Sequence, residues 1–219
     1  MFYCPYYNYC KSLYREEAAP VSYVRVLHAA PGAPSVDIYL NNRLIIRRLS
    51  YKDFSVYLPV SNGNYNIKVY PAGTTQNPVI DTNLEIPAKA IFTIAAIGTL
   101  PNLSLQPILE PIIPTEPGKV YIRFVHLSPN TPSVNLTLSD GTVLFKNLQY
   151  KEVADYIRVD PGTYSFELRL TSSNERILYV PNQHLRPNRI YTFYAVGLAD
   201  KTPPLQALIP LDGNTYLKV

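Results

Sequence analysis

The sequence predicts an all-β protein: two tandem antiparallel β-sandwiches behind an extended N-terminal tail. Three observations carry this. Residues 23–40, YVRVLHAAPGAPSVDIYL, recur as residues 121–138, YIRFVHLSPNTPSVNLTL, at a constant offset, so the chain contains an internal duplication. Short runs rich in Val, Ile, Tyr and Thr alternate in polarity residue by residue, the period of a half-buried strand. Turn residues recur every eight to twelve positions or so, a spacing that suits a sandwich of about seven short strands per repeat. A chain of 219 residues accommodates two such units.

Taken in order, residues 1–20 stand apart. They hold both cysteines, Cys4 and Cys10, together with Tyr3, Tyr6, Tyr7, Tyr9 and Tyr14, and few aliphatic residues, so they read as a connector and not as core. The first repeat spans 21–110. In its opening strand Val24, Val26 and His28 share one face and Tyr23, Arg25 and Leu27 the other; beyond the turn, Val36, Ile38 and Leu40 oppose Asp37 and Tyr39. One face is expected to be core and the other wet. The turn itself, AAPGAP, carries two prolines that cannot extend a ladder. Residues 43–49 and 54–59 read as strands, Ser61-Asn62-Gly63-Asn64 as a turn, and 65–70 as an alternating strand broken at Pro71. Residues 78–86 and 90–97 add two more, the latter apolar on both faces like a central strand, and 103–109 closes the unit.

Residues 111–118, with Pro111, Pro114 and Pro117, predict a stiff polyproline-type linker. The second repeat, 119–219, follows the same plan. Ile122, Phe124 and His126 share a face, as do Val134, Leu136 and Leu138; Ser139-Asp140-Gly141 makes the hairpin turn, and Tyr164, Phe166, Leu168 and Leu170 oppose Ser165, Glu167 and Arg169. Residues 211–219 are expected to add an edge strand.

The pattern formed by Arg25, His28, Pro31, Pro34, Val36, Asp37 and Tyr39, with Gly63-Asn64-Tyr65 and the strand end FTIAAIG at 92–98, resembles the bacterial domain-of-unknown-function family 4397. Gly162-Thr163-Tyr164 and YTFYAVG at 191–197 repeat the later parts, so the resemblance covers roughly residues 21–212. It implies immunoglobulin-like sandwiches, often in tandem and often on secreted or cell-surface proteins, and no established activity. The second copy has Asn135 where the motif has Asp, which argues against a shared functional carboxylate.

A net charge of +4 is scattered along the chain, and only Arg43, Arg47 and Arg48 cluster, so no nucleic-acid partner is expected. No apolar run reaches the roughly 18 residues that span a bilayer. The first residues lack the basic, apolar and small-residue regions of a secretory signal. Combined with the resemblance, this suggests a bacterial spore surface or cell surface reached by another route, such as release of a spore from its mother cell.

His28 and His126 sit a whole repeat apart on apolar faces, which favours core histidines near the Pro-rich turns over a metal site, and His184 reads as solvated. Arg25 and Asp37 are expected to pair across adjacent strands, with Arg123 and Asn135 keeping only a hydrogen bond; both pairs read as structural. No nucleophile elbow, phosphate loop or dinucleotide fingerprint is present, so no catalytic residue, cofactor or metal is assigned and no enzyme is expected. The spacing of Cys4 and Cys10 fits no zinc or redox motif, and pairing with each other or between subunits both remain open. The leading expectation is a non-enzymatic structural subunit of a surface or spore-associated assembly such as a fibre, self-associating head to tail through residues 1–20 or meeting other surface or coat proteins. The alternative is a surface carbohydrate-binding, ligand-binding or adhesion module with Tyr39, Tyr57 and Tyr70 as a stacking platform.

Overall fold

The computed structural model describes residues 21–219, so Cys4, Cys10 and Tyr3, Tyr6, Tyr7, Tyr9 and Tyr14 lie outside the described residues. Strands form where polarity alternates. The first unit contains β1 (Val21–His28), β2 (Val36–Leu40), β3 (Arg43–Leu49), β4 (Leu58–Ser61), β5 (Gly63–Pro71), β6 (Ile80–Ile86), β7 (Ile91–Thr99) and β8 (Asn102–Leu109). The second contains β9 (Val120–His126), β10 (Val134–Leu138), β11 (Val143–Leu148), β12 (Ile157–Val159), β13 (Gly162–Leu170), β14 (Arg176–Leu185), β15 (Arg189–Val196) and β16 (Gln206–Leu208).

Each unit is two four-stranded sheets, β3-β2-β5-β6 over β4-β1-β7-β8 in the first and β11-β10-β13-β14 over β12-β9-β15-β16 in the second. Most pairs are antiparallel, but β1 lies parallel to β7 and β9 parallel to β15. A parallel pair needs a long crossover, and here it runs through the whole opposite sheet and one edge strand of the same sheet, β4 or β12.

The even-numbered residues of β1 fill the first core, where Val24, Val26, Ile38, Ile67, Val69 and Ile94 meet. The second core is built at the same register but with rings: Phe124, Phe145, Phe166 and Phe193 stand where the first repeat has Val26, Ile46, Ile67 and Ile94. Phe193 packs edge-on against Phe166 and Phe124 at 5.6 and 5.7 Å between centroids. The aliphatic core keeps a cavity of about 40 Å³ walled by Val26, Ile38, Ile67 and Ile94.

The face of β1 that alternation marks as wet is not wet. Arg25 and Leu27 are buried, as are Thr93, Ala95 and Ile97 beside them on β7. This face packs on the equivalent face of β9 and β15, and Leu27, Ala95, Ile97, Val125, Leu127, Tyr194 and Val196 form one apolar cluster drawn from both units. The molecule is therefore four sheets deep, and the repeats meet face to face.

Two expected strands are replaced. Within 54–59 the Ser55 hydroxyl accepts the Val26 N–H at 2.9 Å, leaving only an isolated bridge between Leu27 and Phe54 before β4 begins. Residues 211–219 form no edge strand; Leu211 bridges to Tyr191 and Gly213–Thr215 make a single 3₁₀ turn.

Each parallel strand has a glycine at or next to its C-terminal end, Gly98 in β7 and Gly197 just after β15, each with φ near +94°. A Cβ at Gly197 would lie 2.1 Å from the Pro204 carbonyl oxygen, so the strand and its return chain approach as closely as they do because no side chain intervenes. Gly197→Ala should lower unfolding stability by more than about 1 kcal/mol, through the left-handed φ and the backbone clash together, seen as a reduced urea midpoint with an unchanged slope.

Candidate functional site

The polar chemistry of this molecule converges between the units. Strand polarity puts Arg25 and Thr93 side by side on β1 and β7, and Arg123 and Thr192 side by side on β9 and β15. Each arginine Nε donates to its threonine, at 2.7 Å to Thr93 and 2.8 Å to Thr192. Each then reaches into the other repeat: Arg25 Nη1 donates to the Leu211 carbonyl at 2.9 Å, and Arg123 Nη1 to the Leu109 carbonyl at 2.6 Å. The residues that follow those carbonyls are Glu110 and Asp212, which occupy equivalent places in the two repeats, their backbone N–H groups donating to Ile91 and Ile190.

Both arginines, both carboxylates and both threonines are buried, so charge balance and hydrogen bonding decide the cost of the cluster. Glu110 accepts from Thr93 at 2.5 Å, from the Tyr57 hydroxyl at 2.7 and 2.8 Å, and from the Gly213 N–H at 2.7 Å. Asp212 accepts from Tyr156 at 2.5 Å and from Thr192. Two cations face two anions, but unequally. Arg25 Nη2 has both carboxylates, Asp212 at 3.0 Å and Glu110 at 3.4 Å. Arg123 Nη2 has only Asp212 at 3.7 Å and no hydrogen-bond acceptor among the described residues.

The aromatic cover is unequal too. The Arg25 guanidinium lies over both Phe54 and Tyr57, at 4.8 and 4.7 Å from their centroids. Arg123 has Tyr156 at 4.6 Å, and the position equivalent to Phe54, defined by matching bridges to Leu27 and Val125, is Val153. There the surface opens into a cleft of about 590 Å³, walled by Leu109, Pro111, Ile113, Val153 and Ala154, with Arg123 and Asp155 also among its lining.

Burial opposes charge on Arg25, yet the Tyr194 hydroxyl, Glu110, Tyr57 and Asp212 more than offset it and hold the guanidinium above its ordinary value. Burial, with Glu110 beside it, pushes the Asp212 carboxyl up to about 6. Burial and Glu110 also raise Tyr57 well above the phenol range, so its hydroxyl stays a donor.

The other sequence-singled residues fall elsewhere. Arg25 and Asp37 lie in different sheets and do not pair. Asp37 instead accepts the Arg48 N–H at 2.7 Å and the Gly73 N–H at 2.9 Å, pinning a bulge between β2 and β3 where Arg48 has φ +50°. Asn135 accepts the Asn147 N–H at 2.7 Å at the equivalent bulge, with the Thr171 hydroxyl at 3.4 Å in place of a second backbone N–H, and makes no bond to Arg123. His28 and His126 are buried and donate from Nε2 to the carbonyls of Pro34 and Pro132, at 3.0 and 3.2 Å, tying each strand end to its turn. Burial lowers both imidazoles. Among the described residues no three His, Cys, Asp or Glu side chains gather as metal ligands. Tyr39, Tyr57 and Tyr70 form no platform: Tyr39 and Tyr70 meet edge to face at 5.3 Å, and Tyr57 belongs to the buried cluster. Glu110, Asp212, Thr93, Thr192 and Tyr156 escaped sequence reading as a group. The signal available was that their types recur after each copy of the motif.

Fold and site together define a tandem β-sandwich protein with a polar joint between its repeats. The chain belongs to the family described as Domain of unknown function (DUF4397), whose model matches residues 22–137 and 134–215. No curated protein matches the chain. A solved carbohydrate-binding module of family CBM26 from Eubacterium rectale Amy13K, in complex with maltoheptaose, is similar at 10% identity over 89% of this chain and 99% of that one, with a TM-score of 0.28. A structure assigned as a candidate cell adhesion protein from Bacteroides ovatus is similar at 11% identity over 88% and 96%, with a TM-score of 0.27. Overlaps this loose carry no argument about what this chain binds.

Removing one arginine leaves two buried carboxylates undercompensated. Arg25→Met should therefore destabilise the chain by about 3–5 kcal/mol in equilibrium denaturation, well beyond the cost of a surface charge. The raised carboxyl gives a second expectation. A group whose folded value lies above its unfolded value stabilises most at low pH, so the Asp212 contribution is present below the ordinary carboxylate range and is lost as pH rises through about 6. His28 and His126, held below their ordinary value, act in the opposite sense. The difference in melting temperature between wild type and Asp212→Asn should thus shift in favour of wild type when pH falls from about 7 to about 5.

Proposed function

We propose that this chain is a non-enzymatic binding module of a bacterial surface, of the ligand-binding or adhesion kind, in which the joined repeats form the body and the cleft beside Arg123 receives a ligand or partner. The observation that carries this is the cleft itself: about 590 Å³, with mostly apolar walls and Tyr121, Arg123 and Tyr156 among its lining. Its neighbours support a binding role over a catalytic one. Glu110 and Asp212 are tied to arginines, threonines and tyrosines, and so are poorly placed to exchange protons with a substrate.

A second reading rests on residues 1–20, whose five tyrosines and two cysteines suit a connector that joins neighbouring copies. In that reading the chain is a structural subunit of a surface or spore-associated assembly, with Cys4 and Cys10 as cross-links. Sedimentation and non-reducing electrophoresis of the full chain beside Cys4→Ser/Cys10→Ser separate the two. A monomer under all conditions supports the binding module, whereas oligomer ladders that vanish with reductant or in the double variant put the structural subunit first.

A further inference from the structure

The duplication supplies an internal reference for the core of the first repeat. Val26, Ile67 and Ile94 wall its cavity of about 40 Å³, and the residues at their places in the second repeat are Phe124, Phe166 and Phe193, whose rings pack at 5.6 and 5.7 Å between centroids. The first repeat thus leaves open part of what three rings occupy in the second. Five strands, β1, β2, β4, β5 and β7, each line the cavity with two side chains two residues apart, so it is a slot about 7 Å deep along the strands that runs across them. Along one side of the sandwich β6 approaches β8. On the other side, where β3 lies over β4, Leu40, Ile45, Leu58 and Val60 line the slot and yet are only half-buried, which marks where water reaches it.

Chemistry and size narrow the ligand class. Every side chain that lines the slot is Val, Ile, Leu or Ala, so a sugar, a peptide or a charged group would give up its water there without a hydrogen bond in return. A cavity that takes benzene is several times larger, about 150 Å³, whereas 40 Å³ holds about three water-sized groups. The end of a linear aliphatic chain fits both limits. We propose that the first sandwich takes the end of such a chain between its sheets, through the side where β3 lies over β4, with the polar head of the ligand left in water. The slot is separate from the cleft beside Arg123 and is argued independently of it. The same chemistry is offered by a free amphiphile and by a lipid of a bilayer.

The test is a titration of the full-length chain with linear alkanols from 1-propanol to 1-hexanol, followed by the NMR methyl signals of Val, Ile and Leu. Saturable shifts are expected at Val26, Ile67 and Ile94 while Leu136 and Leu168 of the second core stay still, with affinity rising about fourfold per added methylene, the factor for burying one CH₂. Ile67→Phe and, separately, Ile94→Phe copy the second repeat and should each weaken 1-hexanol binding at least about tenfold. Ile67→Val, a change small enough to keep the fold, widens the slot and should strengthen binding by up to about fourfold. Phosphatidylcholine vesicles separate the sources. Co-sedimentation that is lost in Ile67→Phe identifies bilayer lipid, and alkanol binding without co-sedimentation identifies a free amphiphile; either supports the site. Equal movement of the Leu136 and Leu168 methyls, no saturable shift at Val26, Ile67 and Ile94, or unchanged affinity in both phenylalanine variants overturns the proposal and leaves the reading of the Arg123 cleft as it stands.

Discussion

Two buried arginines, each reaching across to the chain that closes the other repeat, are the constraint on which this architecture depends. Burying four charged groups carries a desolvation cost that pairing alone seldom recovers, so the cluster is a poor explanation of why the units adhere. Adhesion comes from the apolar side chains around it, Leu27, Ile97, Val125 and Tyr194 among them. What the arginines supply is register. With Nη1 of each on a specific carbonyl of the other repeat, a slide of one residue would strand both guanidinium groups and both carboxylates in an apolar contact. The joint has one low-energy alignment for that reason.

A duplicated chain arrives at such a joint readily. If one copy carries a self-complementary face, the second copy carries it too, and the pair can associate about a local two-fold axis, as identical subunits do. The short Pro-rich connection between β8 and β9 makes the encounter intramolecular and raises its effective concentration. Lys52 donating to Gln206 and Gln106 donating to the Lys151 carbonyl show the same reciprocity at the rim of the face.

Much of the fold was legible in the sequence because strand periodicity is local: β1, β2, β5 and β7 stand where alternation placed them, and the duplication put their counterparts in the second repeat. The joint was not legible, for two reasons. Arg25 and Thr93 have the polarity of a solvated face, and their buried state is tolerable only because Glu110, Leu211 and Asp212 arrive from elsewhere in the chain. Pairing Arg25 with Asp37 followed from assuming that consecutive strands are neighbours, but β2 crosses to the other sheet and uses Asp37 to hold a bulge. The cleft was hidden for a similar reason, since the change from Phe54 to Val153 acquires meaning only once both are seen beside an arginine.

The divergence between repeats is also the best guide to how the molecule divides its labour. The second repeat has four phenylalanines in its core where the first has Val26, Ile46, Ile67 and Ile94, and Val153 where the first has Phe54 beside its joint arginine. A tightly packed unit can tolerate one unsatisfied donor at its margin, where a looser unit would relax around it. Fuller packing in the core of the second repeat thus offsets the unsatisfied Arg123 Nη2 that its half of the joint carries.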